Sequence, residues 1–291
     1  MRDIVQTCPD SAWGVQGDDS PTHDAEAVVE DGGVLCLPRL HFQLTPAERA
    51  LLDPGVADGK AKNVSLRGPN GDVRGANPQH VDALRTMMLR YRALSTALVE
   101  RVFPHYRGRC TWGNTSYRPA AVEDRVTSWR KDDTRLHVDA FPSNPMHGKR
   151  LLRVFHNLNP HGQARQWRTG EPFEAFARRF LPTIAPPLPG AAALMHALHV
   201  TKSRRSAYDH YMLHLHDKAK ADAAYQRNAP QQSVDFAPGT TWVVYSDQVL
   251  HAALGGQFLI EQTFYLPPAA LASPASAPLA VLQRLLGRPL L

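Results

Sequence analysis

The sequence predicts a mainly β protein with flanking α-helices, built as a double-stranded β-helix (jelly-roll) barrel with a helical insertion. Three observations support this fold class. Short apolar segments bounded by Gly and Pro lie on both sides of a helical stretch, which suggests strands, an insertion, and strands again. One long amphipathic helix precedes them. No internal repeat is visible, so we expect one domain of this kind rather than an array.

The chain divides into three parts by composition. Residues 1–27 are rich in Asp, Gly, Ser and Thr and lack apolar periodicity, so we expect a loose N-terminal leader with order starting at Val28. Residues 28–267 are predicted to form a single domain, with the barrel core at about 107–267 and the helical insertion at about 172–235. Residues 268–291 are predicted to be an Ala/Ser/Pro linker and an amphipathic C-terminal tail.

The predicted strands share apolar or alternating composition next to turn residues. They lie at residues 34–37, 110–117, 126–141, 150–158, 240–245 and 257–266. Helical periodicity marks residues 78–102, a long helix expected to back a sheet, and residues 172–180 and about 203–225 in the insertion. Thr45 followed by Pro46 and Glu48 has the composition of a helix start.

Composition limits the function classes. The net charge of +6 and the pI near 9.4 favour an anionic partner, but the basic residues are scattered, so we expect no nucleic-acid partner. Three widely spaced cysteines fit neither a disulfide framework nor a thiolate zinc site and favour a reducing compartment. No export signal or membrane span is recognisable, so a cytoplasmic protein is expected.

The segment 135–141 is the strongest candidate site. On extended backbone, residues two apart project from one face, so His137 and Asp139 would present an imidazole and a carboxylate together. With fourteen histidines, such a spacing arises by chance, and His80 and Asp82 repeat it. That second pair lies at the start of the long helix, where residues two apart point about 200° apart around the axis and cannot share a metal.

His251 is the predicted third ligand. It follows a turn, a buried strand and a loop in the second half of the barrel. Two histidines and one carboxylate on one side of a metal form the facial triad of ferrous oxygenases. The alternative is that His251 is a structural loop histidine. His210, His214 and His216 lie on a predicted helix, and we expect them to be lid or surface residues.

The order of a strand, an H-x-D pair, further strands and a distal His resembles the iron(II)- and 2-oxoglutarate-dependent dioxygenases over about residues 107–267. Within that cupin-like superfamily, the chain resembles the hydroxylases of Kdo (3-deoxy-D-manno-oct-2-ulosonic acid), a sugar of the lipopolysaccharide inner core. The stretches that carry this closer resemblance are residues 59–66, 135–143, 152–168 and 260–264.

The resemblance implies that His137, Asp139 and His251 are the catalytic metal ligands. It implies Fe(II), 2-oxoglutarate and dioxygen as the cofactor and co-substrates, with ascorbate supportive in vitro and succinate and carbon dioxide as co-products. The implied substrate is Kdo-lipid A, hydroxylated at carbon three of the sugar. The alternatives are a protein side-chain hydroxylase of the same superfamily and a non-catalytic cupin-like sugar-binding module.

The anchor for 2-oxoglutarate departs from the pattern of many such enzymes, because no Arg or Lys lies between His251 and Leu266. A buried carboxylate needs a cationic partner. Arg153 is the preferred candidate, since alternation in its apolar strand places it on one face with Phe155 and Asn157. Arg118 and Arg168 are fallback anchors. Further polar lining is expected from Asn114, Ser116, Tyr117 and Asn157.

Two features suggest contact with an anionic lipid substrate. A group of cations would provide an electropositive approach, or be a solvated helix face: Lys202, Arg204, Arg205, Lys218 and Lys220. In the tail, Leu279, Leu282, Leu285 and Leu286 share a helical face opposite Arg284. The tail is therefore predicted either to lie at the inner face of the cytoplasmic membrane or to pack on its own domain or a sister subunit.

Overall fold

The computed structural model describes residues 4–14, 25–123 and 127–291. The strands are β1 Val5–Thr7, β2 Val34–Leu37, β3 Val64–Arg67, β4 Asp72–Arg74, β5 Thr111–Arg118, β6 Arg150–Asn157, β7 Arg165–Thr169, β8 Gln232–Phe236, β9 Thr241–Tyr245, β10 His251–Gly255 and β11 Leu259–Leu266. The helices are α1 Ala25–Glu30, α2 Pro46–Arg49, α3 Val81–Val102, α4 Phe173–Phe180, α5 Ala191–Ala197, α6 Ala207–Ala221, α7 Ala223–Asn228 and α8 Pro278–Leu286.

The strands form two sheets. The large one has eight strands in the order β1-β2-β9-β6-β11-β5-β3-β4, and the small one has three in the order β10-β7-β8. Every pairing is antiparallel except that of β1 with β2. Strands that are distant in sequence lie side by side, such as β6 between β9 and β11. This mainly β arrangement with flanking helices confirms the predicted fold class.

Aromatic side chains from both sheets fill the space between them. Phe155 and Trp242 of the large sheet pack against Trp167 and Phe236 of the small one. Trp242 stacks on Phe236 with ring centroids 4.0 Å apart. Because large aromatic rings bury extensive apolar area, this cluster stabilises the packing of the two sheets. The candidate site lies next to it.

Helices cover the outer surfaces. The predicted long helix is α3, whose buried face, including Leu84, Met88 and Tyr91, packs behind the large sheet. The insertion contributes α4 to α7, of which α4, α6 and α7 form with α8 a separate apolar cluster that also takes in Val138 and Leu250. The helix start predicted at Thr45 is confirmed, because Thr45 and Glu48 form a capping box at α2.

Three local predictions differ from the structure. The strand expected at 126–141 is wrong for the described residues, which form a 3-10 turn at Trp129–Lys131 followed by extended backbone without a regular ladder. Parts of the predicted leader 1–27 are ordered. Val5–Thr7 pairs along β2, where it satisfies an otherwise open sheet edge, and α1 starts at Ala25. Residues 1–3 and 15–24 lie outside the described residues.

The C-terminal tail packs on its own domain. Leu279, Val281 and Leu282 of α8 are buried in the cluster formed by the insertion helices, and Arg284 pairs with Glu174 of α4 at 2.6 Å. Of the two predicted alternatives for the tail, the structure therefore shows the packed one. Within the described ranges, none of the helices combines the length and the apolar character needed to cross a bilayer.

Candidate metal centre

His137 and His251 face each other across an isolated antiparallel β-bridge. The His137 N–H donates to the His251 carbonyl at 3.1 Å, and the His251 N–H donates to the His137 carbonyl at 2.9 Å. Directly opposed residues of an antiparallel pair project to the same side. The two imidazole centroids are accordingly 4.7 Å apart, so the bridge alone positions two nitrogen ligands.

Asp139 completes a cluster of three. Its backbone N–H donates to the Ser246 carbonyl at 2.8 Å, which keeps the chain extended past His137. Asp139 Oδ1 lies 3.8 Å from His137 Nε2, and one possible ligand atom from each of the three residues lies within 4.8 Å of the others. The three residues predicted as metal ligands are thus brought together, although on extended backbone and not on a regular strand.

The ring orientations fit a metal. His137 Nδ1 is 2.7 Å from the Arg135 carbonyl, and His251 Nδ1 is 2.8 Å from the Val249 carbonyl. Because a carbonyl can only accept, both Nδ1 atoms carry the proton and donate. Each Nε2 then presents a lone pair toward the cluster, as a metal-ligating histidine with an anchored second nitrogen does. Trp167 stacks on the His251 ring at 5.1 Å and further fixes its plane.

Charge states in the cluster suit a divalent cation. Burial lowers the pKa of His137 well below its usual value and also lowers the pKa of His251, so both rings are neutral. Burial alone would raise the pKa of Asp139, but the Arg153 guanidinium holds it far below the ordinary carboxyl range. The result is two neutral imidazoles and one carboxylate, all three in the form that binds metal.

A buried network of arginines and carboxylates adjoins the cluster. Arg153 lies 3.2 Å from Asp139 Oδ2 and 3.5 Å from Glu261 Oε1. Arg118 contacts both oxygens of Glu261, at 2.9 and 3.0 Å, and Asp133 at 3.5 Å. Burial alone would lower the pKa of each arginine, but the neighbouring carboxylates raise the pKa of both above the usual value. Both guanidiniums therefore stay charged beside the metal ligands.

One cavity joins these groups. Its lining combines the three predicted ligands with Arg118, Asp133, Arg153, Phe155, Arg165, Trp167, Ala253 and Leu259. Arg153 and Arg118 were predicted and lie there. Arg165 and Trp167 were not singled out as site residues. Alternation along β7 places Arg165, Trp167 and Thr169 on one face, but which face points inward is seen only in the structure.

Four other predicted binding residues lie elsewhere. The Asn157 amide donates to the carbonyls of Gln163 and Phe236 and stabilises a loop. Arg168 projects from β7 on the side opposite Trp167, and its Nη2 donates to the Thr134 carbonyl. Tyr117 is buried in the cluster behind the large sheet, where its hydroxyl donates to the Leu51 carbonyl. Asn114 is exposed. None of these four residues lines the cavity that contains His137, Asp139 and His251.

Two insertion residues lie closer to the cluster than expected. His216 was predicted as a lid or surface residue, but its ring is half-buried and stands perpendicular to that of His137 at 5.4 Å. Lys220 was predicted as part of an exposed electropositive approach. It is 1% exposed and donates to the Arg130 carbonyl at 3.0 Å, because α6 turns this side chain inward.

Comparison with known proteins identifies the family. A family model described as 3-deoxy-D-manno-oct-2-ulosonic acid (Kdo) hydroxylase matches residues 12–289. Curated protein sequences give no match. The structure is similar to that of the Kdo hydroxylase KdoO, a non-heme Fe(II) α-ketoglutarate (2-oxoglutarate)-dependent dioxygenase, in complex with cobalt(II). The TM-score is 0.94 and the identity 42%, over 99% of this chain and 97% of that chain.

Structures of KdoO with α-ketoglutarate and Fe(III), and with succinate and Fe(III), align at a TM-score of 0.93 and 42% identity, over 99% of this chain and 97% of each of those chains. The predicted enzyme class, Fe(II)/2-oxoglutarate-dependent dioxygenase, and the predicted metal and co-substrate are thereby confirmed. The match of the family model and the extent of these similarities both show that the chain belongs to the Kdo hydroxylase family.

Proposed function

We propose that this chain hydroxylates carbon three of Kdo in the lipopolysaccharide inner core, on Kdo-lipid A. The reaction would use Fe(II), 2-oxoglutarate and dioxygen and release succinate and carbon dioxide. The observation that carries the proposal is a cluster of two neutral histidines and one carboxylate beside a buried arginine network. The sugar and the cofactors are supported by the descriptions of the matching family and of KdoO.

Three side chains would hold the metal: His137 and His251 through Nε2 and Asp139 through its carboxylate. Bound iron supplies the oxidising chemistry that no protein side chain provides. The protein orients the ligands through backbone carbonyls and the Trp167 stack, and it keeps Asp139 ionised through Arg153.

The ionised groups that line the cavity are equal in number. Three guanidiniums, those of Arg118, Arg153 and Arg165, accompany the carboxylates of Asp133, Asp139 and Glu261, and Asp133 also pairs with Lys62. A divalent metal and the 2-oxoglutarate dianion would add charges that cancel, so binding both leaves the net charge of the site unchanged. Either one alone would leave an uncompensated buried charge, which is costly. Metal and 2-oxoglutarate are therefore expected to strengthen each other's binding.

The arginines of the cavity are the proposed partners of the far carboxylate of 2-oxoglutarate. Arg153 stays the first candidate, because it is buried and contacts the metal ligand Asp139. Arg118 and Arg165 line the same cavity and present planar guanidiniums suited to a carboxylate. Arg168 is set aside, because its guanidinium points to the Thr134 carbonyl on the other face of β7.

The insertion has a proposed role in excluding water. Phe176 of α4 and Leu215 of α6 are fully buried in one cluster with Val138, the residue between two metal ligands. An apolar layer at that position would limit water access to the reacting atoms. The proposed location is the cytoplasm, at the inner membrane face, which fits the three free thiols Cys8, Cys36 and Cys110.

The proposal is tested by mass spectrometry of the inner-core sugar. Purified Kdo-lipid A incubated with the protein, Fe(II), 2-oxoglutarate and ascorbate should gain the mass of one oxygen, with one succinate formed per sugar modified. The His137→Ala variant should show neither product. The matched control is His80→Ala, which removes the histidine of the other H-x-D pair and should leave both products unchanged.

Absence of the mass shift with the folded wild-type protein would refute the sugar assignment. Succinate formation driven instead by a peptide substrate would favour the protein-hydroxylase alternative. No turnover of 2-oxoglutarate under any condition would favour the non-catalytic module. No observation on the described residues or their relatives favours either alternative.

A further inference from the structure

Four large apolar side chains of one short segment are exposed to solvent. Leu188 is 76%, Leu194 61%, Leu198 64% and Val200 54% exposed. A folded protein has scattered exposed apolar residues, but a concentration of them in one place marks an interaction surface. We call residues 185–200 the apolar tip.

The apolar tip has a defined backbone and contains no buried residue. Its helix, α5, has no buried residue, and the tip contributes to none of the three apolar clusters. Local hydrogen bonds hold its shape, with Leu198 N–H donating to the Leu194 carbonyl at 2.9 Å and Val200 N–H to the Met195 carbonyl at 2.9 Å. The apolar side chains are therefore presented outward by a structured element.

Positive charge flanks the tip. No acidic residue occurs between Glu174 and Asp209, whereas that interval contains five Lys or Arg residues. Lys202 and Arg204 are exposed, and their side chains form no ion pair within the described ranges. Exposed leucines next to uncompensated cations match a surface that combines anionic headgroups with hydrocarbon.

The base of the tip is attached beside the metal centre. Lys202 N–H donates to the Ser143 carbonyl at 3.0 Å, and the Arg205 guanidinium donates to the Pro142 carbonyl. These carbonyls belong to the loop that follows the metal ligand Asp139. A surface that binds the tip would therefore contact the side of the molecule that contains this loop.

We propose that the apolar tip inserts into an anionic membrane surface, with Lys202 and Arg204 binding lipid headgroups. This assigns membrane contact to α5 and its flanks and not to the C-terminal helix α8, whose apolar residues Leu279, Val281 and Leu282 are buried. The proposal goes beyond the sugar hydroxylation and does not depend on it, since the vesicles used to test it contain no Kdo.

The test is co-sedimentation of the full chain with vesicles of phosphatidylglycerol and phosphatidylcholine, and with vesicles of phosphatidylcholine alone. Wild-type protein should bind the anionic vesicles and release them in high salt. The double variant Leu194→Glu/Leu198→Glu should bind more than about tenfold more weakly. Lys202→Gln/Arg204→Gln should lose on the order of 20-fold at low salt, about fivefold for each charge.

The matched control is Leu291→Glu, which alters an equally exposed leucine, 64%, at the C-terminus and should change binding less than about twofold. Circular dichroism should be unchanged in all these variants, and 2-oxoglutarate turnover with a deacylated Kdo saccharide should be unchanged in the Leu194/Leu198 and Leu291 variants. Wild-type-like binding by the Leu194/Leu198 variant, or loss of binding in Leu291→Glu, would overturn the proposal. So would a wild-type dimer that fails to bind vesicles and that the Leu194/Leu198 variant makes monomeric, because the tip would then be a self-association surface.

Discussion

The tripeptide His-Val-Asp occurs twice in this chain, at residues 80–82 and 137–139, and the two copies have opposite surroundings. In the first, His80 ends a 3-10 turn and is half-buried, and the Asp82 side chain is 92% exposed and pairs with Arg85 at 2.8 Å. In the second, His137 is 4% exposed and Asp139 pairs with Arg153 at 3.2 Å beside His251.

The two copies differ in the partners that the rest of the fold supplies. Asp82 receives its arginine from the next turn of the same helix, in water, where such a pair contributes little. The Asp139 carboxylate pairs with Arg153 of β6, and its backbone N–H donates to the Ser246 carbonyl. The bridge from His137 to β10 also places a second imidazole beside it. A short motif therefore acquires metal chemistry only where distant strands bury it and complete its ligand set.

The largest contrast is expected on removing the acid. Asp139→Ala should abolish retention of iron and reduce succinate formation more than about 100-fold, because loss of an outer partner alone typically costs 10- to 100-fold and this residue is a proposed direct ligand. Metal content after dialysis and succinate yield measure the effect. Asp82→Ala is the matched control and should equal wild type. Unchanged iron retention in Asp139→Ala would show that the cluster is misassigned.

The next contrast compares Arg153 and Arg85, the arginines that pair with Asp139 and Asp82. Arg153→Leu should weaken 2-oxoglutarate binding by about 2–4 kcal/mol, roughly 30- to 1000-fold, because a buried charge loses its partner. Titration calorimetry with Mn(II) replacing iron measures it. Arg85→Leu, which removes the exposed pair, should leave 2-oxoglutarate affinity unchanged and alter stability by less than about 0.5 kcal/mol. An unaltered affinity in Arg153→Leu would move the anchor to Arg118 or Arg165.

A third histidine, His156, is buried without being a candidate metal ligand, so it shows the effect of burial alone. His156 is buried, and its Nε2 accepts from the Phe42 N–H at 3.4 Å, so it has no lone pair left for a metal. Burial lowers its pKa from the ordinary 6.5 to about 3. The native state then binds fewer protons than the unfolded chain between these pH values. This contribution to stability is present above pH 6.5 and is lost as the pH falls toward 3.

Chemical unfolding at several pH values tests this effect. His156→Gln keeps an acceptor without a titrating group, so its stability should fall less than that of wild type on going from pH 7 to pH 5, by about 2 kcal/mol. Its iron retention at pH 7 should equal that of wild type. Parallel pH profiles of the two proteins would contradict the assigned protonation of His156.

The smallest contrast concerns Val138 and Val81, the middle residues of the two His-Val-Asp copies. Val138 is fully buried among the insertion helices, so Val138→Ala should cost about 1–3 kcal/mol of unfolding free energy. Val81 is half-buried at the start of α3, and Val81→Ala should change stability by less than about 0.5 kcal/mol. Urea denaturation measures both. Equal costs would show that the burial of Val138 adds nothing to the stability of its cluster.

Several elements could be predicted from sequence because their signal is local. The heptad-like apolar spacing of α3 and the Thr45 capping box fall into this group. The clustering of His137, Asp139 and His251 could be predicted because spacing, extended context and family resemblance agreed on these three residues. Val138 lies between His137 and Asp139 in the sequence. Its side chain projects from the opposite side of the backbone, as the alternation of side chains along extended backbone requires.

Other features depend on which face of a strand points inward, and that is not fixed by one strand's sequence. In β7, the sequence analysis chose Arg168 and not Arg165, but their odd separation puts them on opposite faces, and only Arg165 lines the cavity. In β5, Arg118 reaches the site whereas the adjacent Tyr117 lies behind the sheet for the same reason. The strand predicted at 126–141 is wrong for the described residues 127–141, which carry strand-like residues but have no neighbouring strand among the described residues to pair with along their length.

The bridge between His137 and His251 links the metal site to the order of folding. Its two hydrogen bonds join segments far apart in the sequence, and contacts of such long range form only after the intervening chain has closed a large loop. A partly synthesised or partly folded chain without the bridge would not hold His251 in register with His137 and Asp139. Metal loading would therefore report completed assembly of both sheets, and the bound ion would in turn stabilise that assembled state by mass action.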